Sequence, residues 1–317
     1  MKDRKRFKPQ PRRVNFVFLD GGVGDHIASL VAMNYVLKHY NWITPLIWTP
    51  DYLVDFAKHV LPKNTNVGSY TSMKEKYNPG MTTKTTKWDG VFSPMKIHIL
   101  DYAFLKLTDE NPTIEHKNYL KINPDKIDVS MFNLPKRYVV MTAGYTAKVR
   151  EFSAKAINEI MDYVKQKECE PVFLGQTKTI TGAKHVIEGN FDKNINFKNS
   201  INLLDKTTLL EAAKIMSNAK AVVGVDNGLL HVAGCTDVPI VGGFTTVKPE
   251  IRMPVRNNIL GHNFYPVTES KSDCNFCQQT TNFLYGHDYR NCLYKKDDEC
   301  NSRMSSDKFI AELQKIL

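Results

Sequence analysis

The segment 222–234, VVGVDNGLLHVAG, brings together side chains that could hold a phosphorylated ligand. An apolar run ends at Asp226, Asn227 and Gly228, and His231 follows about one helical turn later. A glycine lets the backbone approach a ligand closely, and the free N–H groups at the start of a helix attract anions. The pattern predicts a diphosphate site made of these four residues. The alternative is an ordinary helix cap with a packed histidine.

A second motif, FLDGGVGDH at residues 18–26, places Asp25 where a helix is expected to begin. A carboxylate that faces a cleft can act as a general base, and the positive end of a helix dipole helps to keep it ionised. Asp20 and His26 are the neighbours best placed to substitute in that role. The alternative is that Asp25 caps its helix after a glycine turn.

The elements that position both motifs alternate between strand and helix. Apolar strand-like runs at 14–19 and 44–50 are followed by helical patterns at 25–40 and 52–61, and residues 66–88 are polar and predict a long loop. The alternation restarts at Arg137 and continues to about residue 244. This order predicts an α/β fold of two Rossmann-like domains, whose parallel sheets face each other across a cleft. Ligands bind at the carboxyl ends of such strands, where both motifs lie.

Charge and domain organisation follow from the same sequence. The 317 residues carry a net charge of +10, and residues 1–13 hold seven Lys or Arg and one Asp. We predict a basic flexible tail at 1–13, one domain at 14–130 and a second at 131–317, with a Cys-rich excursion at 274–300 and a C-terminal helix. The tail could attract a polyanion or aid solubility. We expect a cytoplasmic protein, because no apolar run is long enough to span a bilayer.

The segment from NLLDKTT to TTVKPE, residues 202–250, resembles the donor-binding half of the heptosyltransferases of glycosyltransferase family 9. That family has a hydrophobic strand, Asp-Thr-Gly, two residues and His, then a Val-Pro strand and a Gly/Thr-rich loop. Asn227 stands where Thr is usual, and GGFTTVKP stands where Gly-Pro-Thr is usual. The resemblance implies a GT-B fold, an inverting sugar transfer and a nucleotide-diphosphate sugar donor.

The same resemblance extends to two other segments and assigns site residues. VVMTAGYTAKVREFS is similar to the family's basic segment, and it implies that Arg150 and Lys148 contact the donor phosphates, with Thr245 in the donor loop. FLDGGVGDHIASLVAM resembles the start of the family's first helix, which implies Asp25 as the catalytic base. Gly22, Gly24 and His26 would then lie on the acceptor side. No Asp-x-Asp metal clamp is present, so we expect no catalytic metal.

Four cysteines in the C-terminal excursion have spacings that suit a metal. Cys274 and Cys277 form a CxxC pair, and Cys292 and Cys300 follow. In a cytoplasmic protein such a set favours structural Zn²⁺ over disulfides, with His287 as an alternative ligand. Reduced cysteines in a packed loop are the competing interpretation.

Two functions from different classes fit the sequence. The leading hypothesis is an inverting glycosyltransferase with an anionic acceptor, either a lipopolysaccharide-type saccharide or a hydroxymethylated base in DNA. The alternative is a non-catalytic nucleic-acid-binding protein on a nucleotide-binding scaffold, and a hydrolase or epimerase of nucleotide sugars is a third option. Replacing Asp25 by Asn distinguishes them, because only an enzyme that uses this base would lose turnover.

Overall fold

The computed structural model of the chain describes most residues of the two motifs, 18–26 and 222–234. The described residues are 16–19, 21–40, 45–72, 83–86, 97–110, 117–142, 144, 148–180, 186–188, 194–268, 276–280, 300 and 304–317. Asp20, Cys274, His287, Cys292 and the basic tail lie outside them.

The N-terminal half contains a four-stranded parallel sheet with helices beside it. Its strands are β1 (Phe16–Phe18), β2 (Leu46–Thr49), β3 (Asn66–Ser69) and β4 (Thr83–Thr85), paired in the order β3-β2-β1-β4. Its helices are α1 (Val23–His39), α2 (Val54–Val60) and α3 (Ile99–Thr108). The prediction of a loop over 66–88 was wrong, because β3 and β4 lie within it. These short strands are polar, so no apolar pattern in the sequence indicates them. Their pairing with β2 and β1 stabilises them instead.

The C-terminal half contains a six-stranded parallel sheet, in the order β14-β11-β10-β5-β6-β9. These strands are β5 (Tyr138–Thr142), β6 (Glu170–Phe173), β9 (Ile201–Asn202), β10 (Ala221–Val225), β11 (Ile240–Phe244) and β14 (Phe264–Thr268). Two antiparallel pairs lie outside the sheet, namely β7 (Lys178–Ile180) with β8 (Val186–Glu188), and β12 (Val255–Arg256) with β13 (Ile259–Leu260).

The helices of this half are α4 (Ala154–Gln166), α5 (Leu209–Asn218), α6 (Gly228–Gly234), α7 (Cys277–Thr280) and α8 (Ser306–Leu313). Helix α4 begins where Ser153 accepts a hydrogen bond from the Ala156 N–H, and α5 begins with a capping box between Thr208 and Glu211. The predicted C-terminal helix corresponds to α8.

Both faces of the C-terminal sheet are buried, as expected of parallel strands between helices. Val140 and Val222 belong to a core that continues into the N-terminal half through α1, whereas Met141 and Val223 face a second core built with α4 and α8. One hydrophobic core therefore crosses between the two sheets. The proposed division at residue 130 stays a prediction.

Candidate active site

Asp25 lies in the first turn of α1, beyond the carboxyl end of β1. Its Oδ2 accepts a hydrogen bond from the N–H of Gly22, 2.9 Å away, so the carboxylate also caps its own helix. Gly21 precedes it with φ at +111°, where a Cβ would lie 2.7 Å from the same oxygen. Burial raises the pKa of the Asp25 carboxyl, while the Gly22 N–H and the charge of Arg252 oppose that rise.

His26 lies beneath this turn and is fully buried. Its Nδ1 is 2.8 Å from the carbonyl oxygen of Gly22, and its Nε2 is 3.1 Å from that of Leu19. The imidazole therefore holds the two ends of the glycine turn that precedes Asp25. This geometry favours a positioning role for His26 over the acceptor-side contact expected from the sequence, because both ring nitrogens face backbone carbonyls.

Asp226 follows β10 and forms a buried ion pair with Arg150. Nη1 of Arg150 is 3.2 Å from Oδ2 of Asp226 and also 3.2 Å from its carbonyl oxygen. Burial alone would raise the pKa of Asp226, but the guanidinium groups of Arg150 and Arg252 hold it below its ordinary value. Apart from this ion pair, Oδ2 of Asp226 and Nε of Arg150 are buried without a hydrogen-bond partner among the described residues. Groups of this kind are usually satisfied by a ligand or water.

Asn227 is the N-cap of α6, and its side chain makes four hydrogen bonds to backbone. Its oxygen accepts from the N–H groups of Leu229 and Leu230, and its amide donates to the carbonyls of Thr142 and Gly144. Two of the N–H groups that the sequence assigns to a diphosphate are therefore already occupied. The asparagine joins the loops that follow β5 and β10.

Gly24 and Gly228 bring the first turns of α1 and α6 into direct contact. A Cβ on Gly228 would lie 2.5 Å from Cβ of Val23, and a Cβ on Gly24 would lie 2.6 Å from Cδ2 of His231. The sequence predicts that these glycines face a ligand, but the structure places each against the other helix. Their small size lets the carboxylates of Asp25 and Asp226 share one electrostatic environment.

His231 is buried between α1 and Tyr119. The Tyr119 hydroxyl lies 2.6 Å from Nδ1, and the two rings are stacked. Burial lowers the pKa of His231 to about 4 and raises that of Tyr119 well above its ordinary value. At neutral pH the tyrosine therefore donates to Nδ1, and the imidazole proton lies on Nε2.

Arg252 and Tyr52 are neighbours of Asp25 that the sequence reasoning missed. Arg252 follows the short 3-10 helix Pro249–Ile251 after β11 and is 6% exposed. Tyr52 lies at the carboxyl end of β2 and is 40% exposed, and burial together with the charge of Asp25 raises its pKa to about 12. The signal that could have identified Tyr52 is its position just beyond the predicted strand 44–50, whereas no local signal marks Arg252.

The loop after β11 is tied to two other segments. The hydroxyl of Thr245 donates to the carbonyl of Val149, 2.6 Å away, within the 3-10 helix Lys148–Arg150. The N–H groups of Phe276 and Gln278 donate to the carbonyls of Thr245 and Thr246. Thr245 therefore connects the Arg150 segment to the cysteine-rich segment. The side chain of Lys148 lies outside the described residues.

Comparison with known families gives this geometry its context. The model of glycosyltransferase family 9 (heptosyltransferase) matches residues 83–278, which is more than half of the chain. This chain belongs to glycosyltransferase family 9. The matched segment contains Arg150 and Asp226, whereas Asp25 precedes it.

Solved structures of glycosyltransferases share the fold over nearly the whole chain. The iron-containing dodecameric glycosyltransferase TibC from enterotoxigenic Escherichia coli H10407 has a TM-score of 0.72 at 14% identity, over 98% of this chain and 77% of TibC. A family 9 glycosyltransferase from Veillonella parvula scores 0.65 at 13% identity, over 97% and 99%. The E. coli ADP-heptose lipopolysaccharide heptosyltransferase II scores 0.58 at 11% identity, over 96% and 98%. The predicted GT-B architecture is confirmed.

Two further findings complete the comparison. No curated protein sequence is significantly similar to this family 9 chain. Within the described residues, no helix combines the length and the apolar character needed to cross a bilayer.

Proposed function

We propose that this family 9 protein is an inverting glycosyltransferase in which Asp25 is the general base and Asp226 and Arg150 bind the nucleotide-diphosphate sugar. The observation that carries the proposal is the glycine contact between α1 and α6, which places the two carboxylates beside the same arginines. Sugar transfer across a cleft requires a base from one half of the protein close to a donor site from the other half.

The proposed reaction is a single displacement at the anomeric carbon. The acceptor hydroxyl oxygen attacks that carbon as its bond to the diphosphate oxygen breaks, with inversion. Asp25 takes the hydroxyl proton, and the diphosphate leaves with the bonding electron pair. Since Oδ2 is held by the Gly22 N–H, Oδ1 is the atom we assign to the proton. A positioned base contributes about 10²–10⁴ in rate.

The proposed donor contacts use two buried atoms that have no hydrogen-bond partner among the described residues. We assign the buried Nε of Arg150 to a phosphate oxygen, and Oδ2 of Asp226 to a hydroxyl of the sugar, because a carboxylate repels phosphate but accepts from a hydroxyl. The Nε2 proton of His231 is suited to a ligand oxygen. Solved relatives bind ADP-D-β-D-heptose or ADP, so ADP-linked sugars are the first donors to test.

Neutralisation of the leaving diphosphate is assigned to protein side chains. Arg150 and Arg252 supply two positive charges near the seam, by which we mean the contact between the first turns of α1 and α6, and we therefore propose a reaction that requires no metal. We expect transfer to persist in EDTA. Loss of transfer in EDTA with recovery on adding Mg²⁺ would contradict this assignment.

The acceptor is proposed to be anionic. The net charge of +10 favours such a partner, and heptosyltransferase II is named for lipopolysaccharide. A hydroxymethylated DNA base is the second acceptor, and the basic tail favours it equally. A nucleotide-sugar donor also supports the cytoplasmic location expected from the sequence.

The cysteine-rich segment is proposed to hold a structural metal. Cys277 and Cys300 are buried, and Cys274 and Cys292 lie outside the described residues. Four thiolates suit zinc or iron, and TibC is described as iron-containing. Because residues 276–278 are bonded to the loop of Thr245, the metal would support the donor side. Metal analysis of the purified protein, with Cys277→Ser as the comparison, tests this proposal.

The experiment that tests the function measures release of nucleoside diphosphate from a panel of ADP- and UDP-sugars. Each donor is assayed with truncated lipopolysaccharide, with hydroxymethylated DNA, with unmodified DNA and without acceptor. If nucleoside diphosphate is released only when one of these acceptors is present, that compound is identified as the acceptor. Salt-sensitive DNA binding with no release from any donor would instead support the non-catalytic alternative.

A further inference from the structure

Tyr119 is held in place by two elements of the C-terminal half. Its N–H donates to the carbonyl of Val255 in the β12–β13 hairpin, 2.8 Å away. Its ring lies against Gly234 at the end of α6, where a Cβ would lie 2.7 Å from the ring carbons. The start of the hairpin is itself anchored, because the carbonyl of Met253 accepts from Nε2 of His98, 3.0 Å away. The tyrosine ring therefore cannot swing aside unless α6 or the hairpin moves.

The hydroxyl of Tyr119 fixes the proton of the His231 ring. It lies 2.6 Å from Nδ1, and the two ring planes are 20° from parallel. Tyr119 is 6% exposed, and among the described residues its hydroxyl bonds to Nδ1 alone. A proton on Nδ1 would leave the buried phenol proton without an acceptor, which is strongly unfavourable. The hydroxyl therefore donates, and the proton of the neutral imidazole lies on Nε2.

The opposite edge of the His231 ring faces α1. A Cβ on Gly24 would lie 2.6 Å from Cδ2 and 3.1 Å from Nε2, and Asp25 is the next residue of that helix. Within the part of the chain that the structure describes, Tyr119 is the one side chain that is hydrogen-bonded to this imidazole. The Nε2–H group is therefore available to a ligand at the seam.

Helix α6 has few other donors to offer such a ligand. The N–H groups of Leu229 and Leu230 both donate to Oδ1 of Asn227, so the first turn has already used them. A side-chain N–H on the same turn is a replacement donor for an anionic oxygen.

We infer that Tyr119 is a positioning residue for donor binding, whose hydroxyl fixes His231 in the tautomer that donates from Nε2 to an oxygen of the donor diphosphate. This inference rests on the proposed function, because that function places the donor diphosphate beside α6. No motif that we identified from the sequence includes Tyr119.

NMR spectroscopy of the full chain with isotopically labelled histidine measures the tautomer directly. His231→Gln identifies the resonances of His231. Wild type should carry the proton on Nε2, with Nδ1 accepting a hydrogen bond. In Tyr119→Phe, which keeps the ring, the Nδ1 resonance should move to the position of an imidazole nitrogen that accepts no bond. A proton on Nδ1 in wild type would overturn the inference, whether or not Tyr119→Phe folds.

Calorimetry of ADP binding tests whether Tyr119 acts through His231, with UDP as the probe if wild type binds UDP alone. Tyr119→Phe should weaken binding by about threefold to tenfold, the range expected for one hydrogen bond. The same change made in the His231→Gln background should cause no further loss, because the two residues act as one unit. Additive losses from the two substitutions would overturn the inference.

The matched control is Tyr138→Phe. Tyr138 is 3% exposed, and its hydroxyl donates to the carbonyl of Ile215, 2.7 Å away. This variant should lose stability and keep the wild-type His231 resonances and ADP affinity. Equal changes in Tyr138→Phe and Tyr119→Phe would refute a specific role for Tyr119. If wild type neither binds nor releases a nucleoside diphosphate, the proposed function fails, whereas additive losses in a protein that does release nucleotide refute only the role of Tyr119.

Discussion

The backbone of Gly24 lies against the imidazole of His231, so close that a Cβ would lie 2.6 Å from Cδ2. This contact sets the spacing of α1 and α6, and hence the spacing of Asp25 and Asp226. His231 cannot easily move away, because Tyr119 holds its other side through the bond to Nδ1.

Gly24→Ala is expected to separate the two helices. The added methyl group should lower the free energy of unfolding by about 1–3 kcal/mol, as overpacking does. It should also lower kcat by about tenfold or more, because Asp25 and Asp226 would move apart. Gly22→Ala is the control for stability, since a Cβ there meets Oδ2 of Asp25 at an ordinary 3.6 Å. Thermal unfolding and initial rates measure both effects. Equal stability of the two variants would contradict the close contact.

Asn227→Thr tests how the loops after β5 and β10 are joined. Threonine can still cap α6, but its single O–H cannot replace both amide bonds to the carbonyls of Thr142 and Gly144. We expect a loss of about 1–2 kcal/mol in unfolding free energy, together with weaker nucleotide binding as the loops separate. Denaturant unfolding and calorimetry measure the two quantities. Unchanged stability would mean that the amide bonds contribute nothing.

Stability should fall as the pH drops from about 6.5 towards 4. Burial lowers the pKa of His98 to about 3 and that of His231 to about 4, whereas both titrate near 6.5 in the unfolded chain. The unfolded state therefore binds more protons across this window, and each histidine contributes a slope of up to about 1.4 kcal/mol per pH unit. The raised pKa of Asp25 acts in the opposite direction.

His98→Asn isolates one of these contributions. Asparagine can accept from the Leu100 N–H as His98 does, but it does not titrate. The variant should be less stable at pH 7, because the bond to Met253 is lost, and its stability should depend less on pH. His39→Asn, at the exposed end of α1, keeps both buried histidines and should retain the wild-type slope. Equal slopes for His98→Asn and wild type would refute the assignment.

The sequence predicted the strands and helices of strong apolar pattern, but not the contacts across the seam. The sequence identified β5, β10, β11 and α4, because strands that are buried on both faces have continuous apolar runs and a helix that is buried on one face has a helical period. β3 and β4 were missed because polar edge strands carry no such signal. Arg252 was missed for another reason. It is far from Asp25 in the chain, and local pattern does not show which loops meet.

The same limit applies to the glycines. The sequence indicated that the backbone at Gly228 approaches a ligand and that Gly24 lies on the acceptor side, but it does not show which segment packs against either glycine. In the structure the partner is the other helix. The assignment of Asn227 to a ligand met a similar obstacle, because two of its four backbone bonds are to carbonyls more than 80 residues away in the chain.

The most direct test of the central claim compares Asp25→Asn with wild type in two assays, nucleotide release with acceptor and binding of nucleoside diphosphate. Asn can still accept the Gly22 N–H bond, so the helix start should survive. We predict a loss of turnover of about 10²-fold or more, with affinity for the diphosphate within about threefold of wild type. Turnover near the wild-type rate would contradict the assignment of Asp25 as the base.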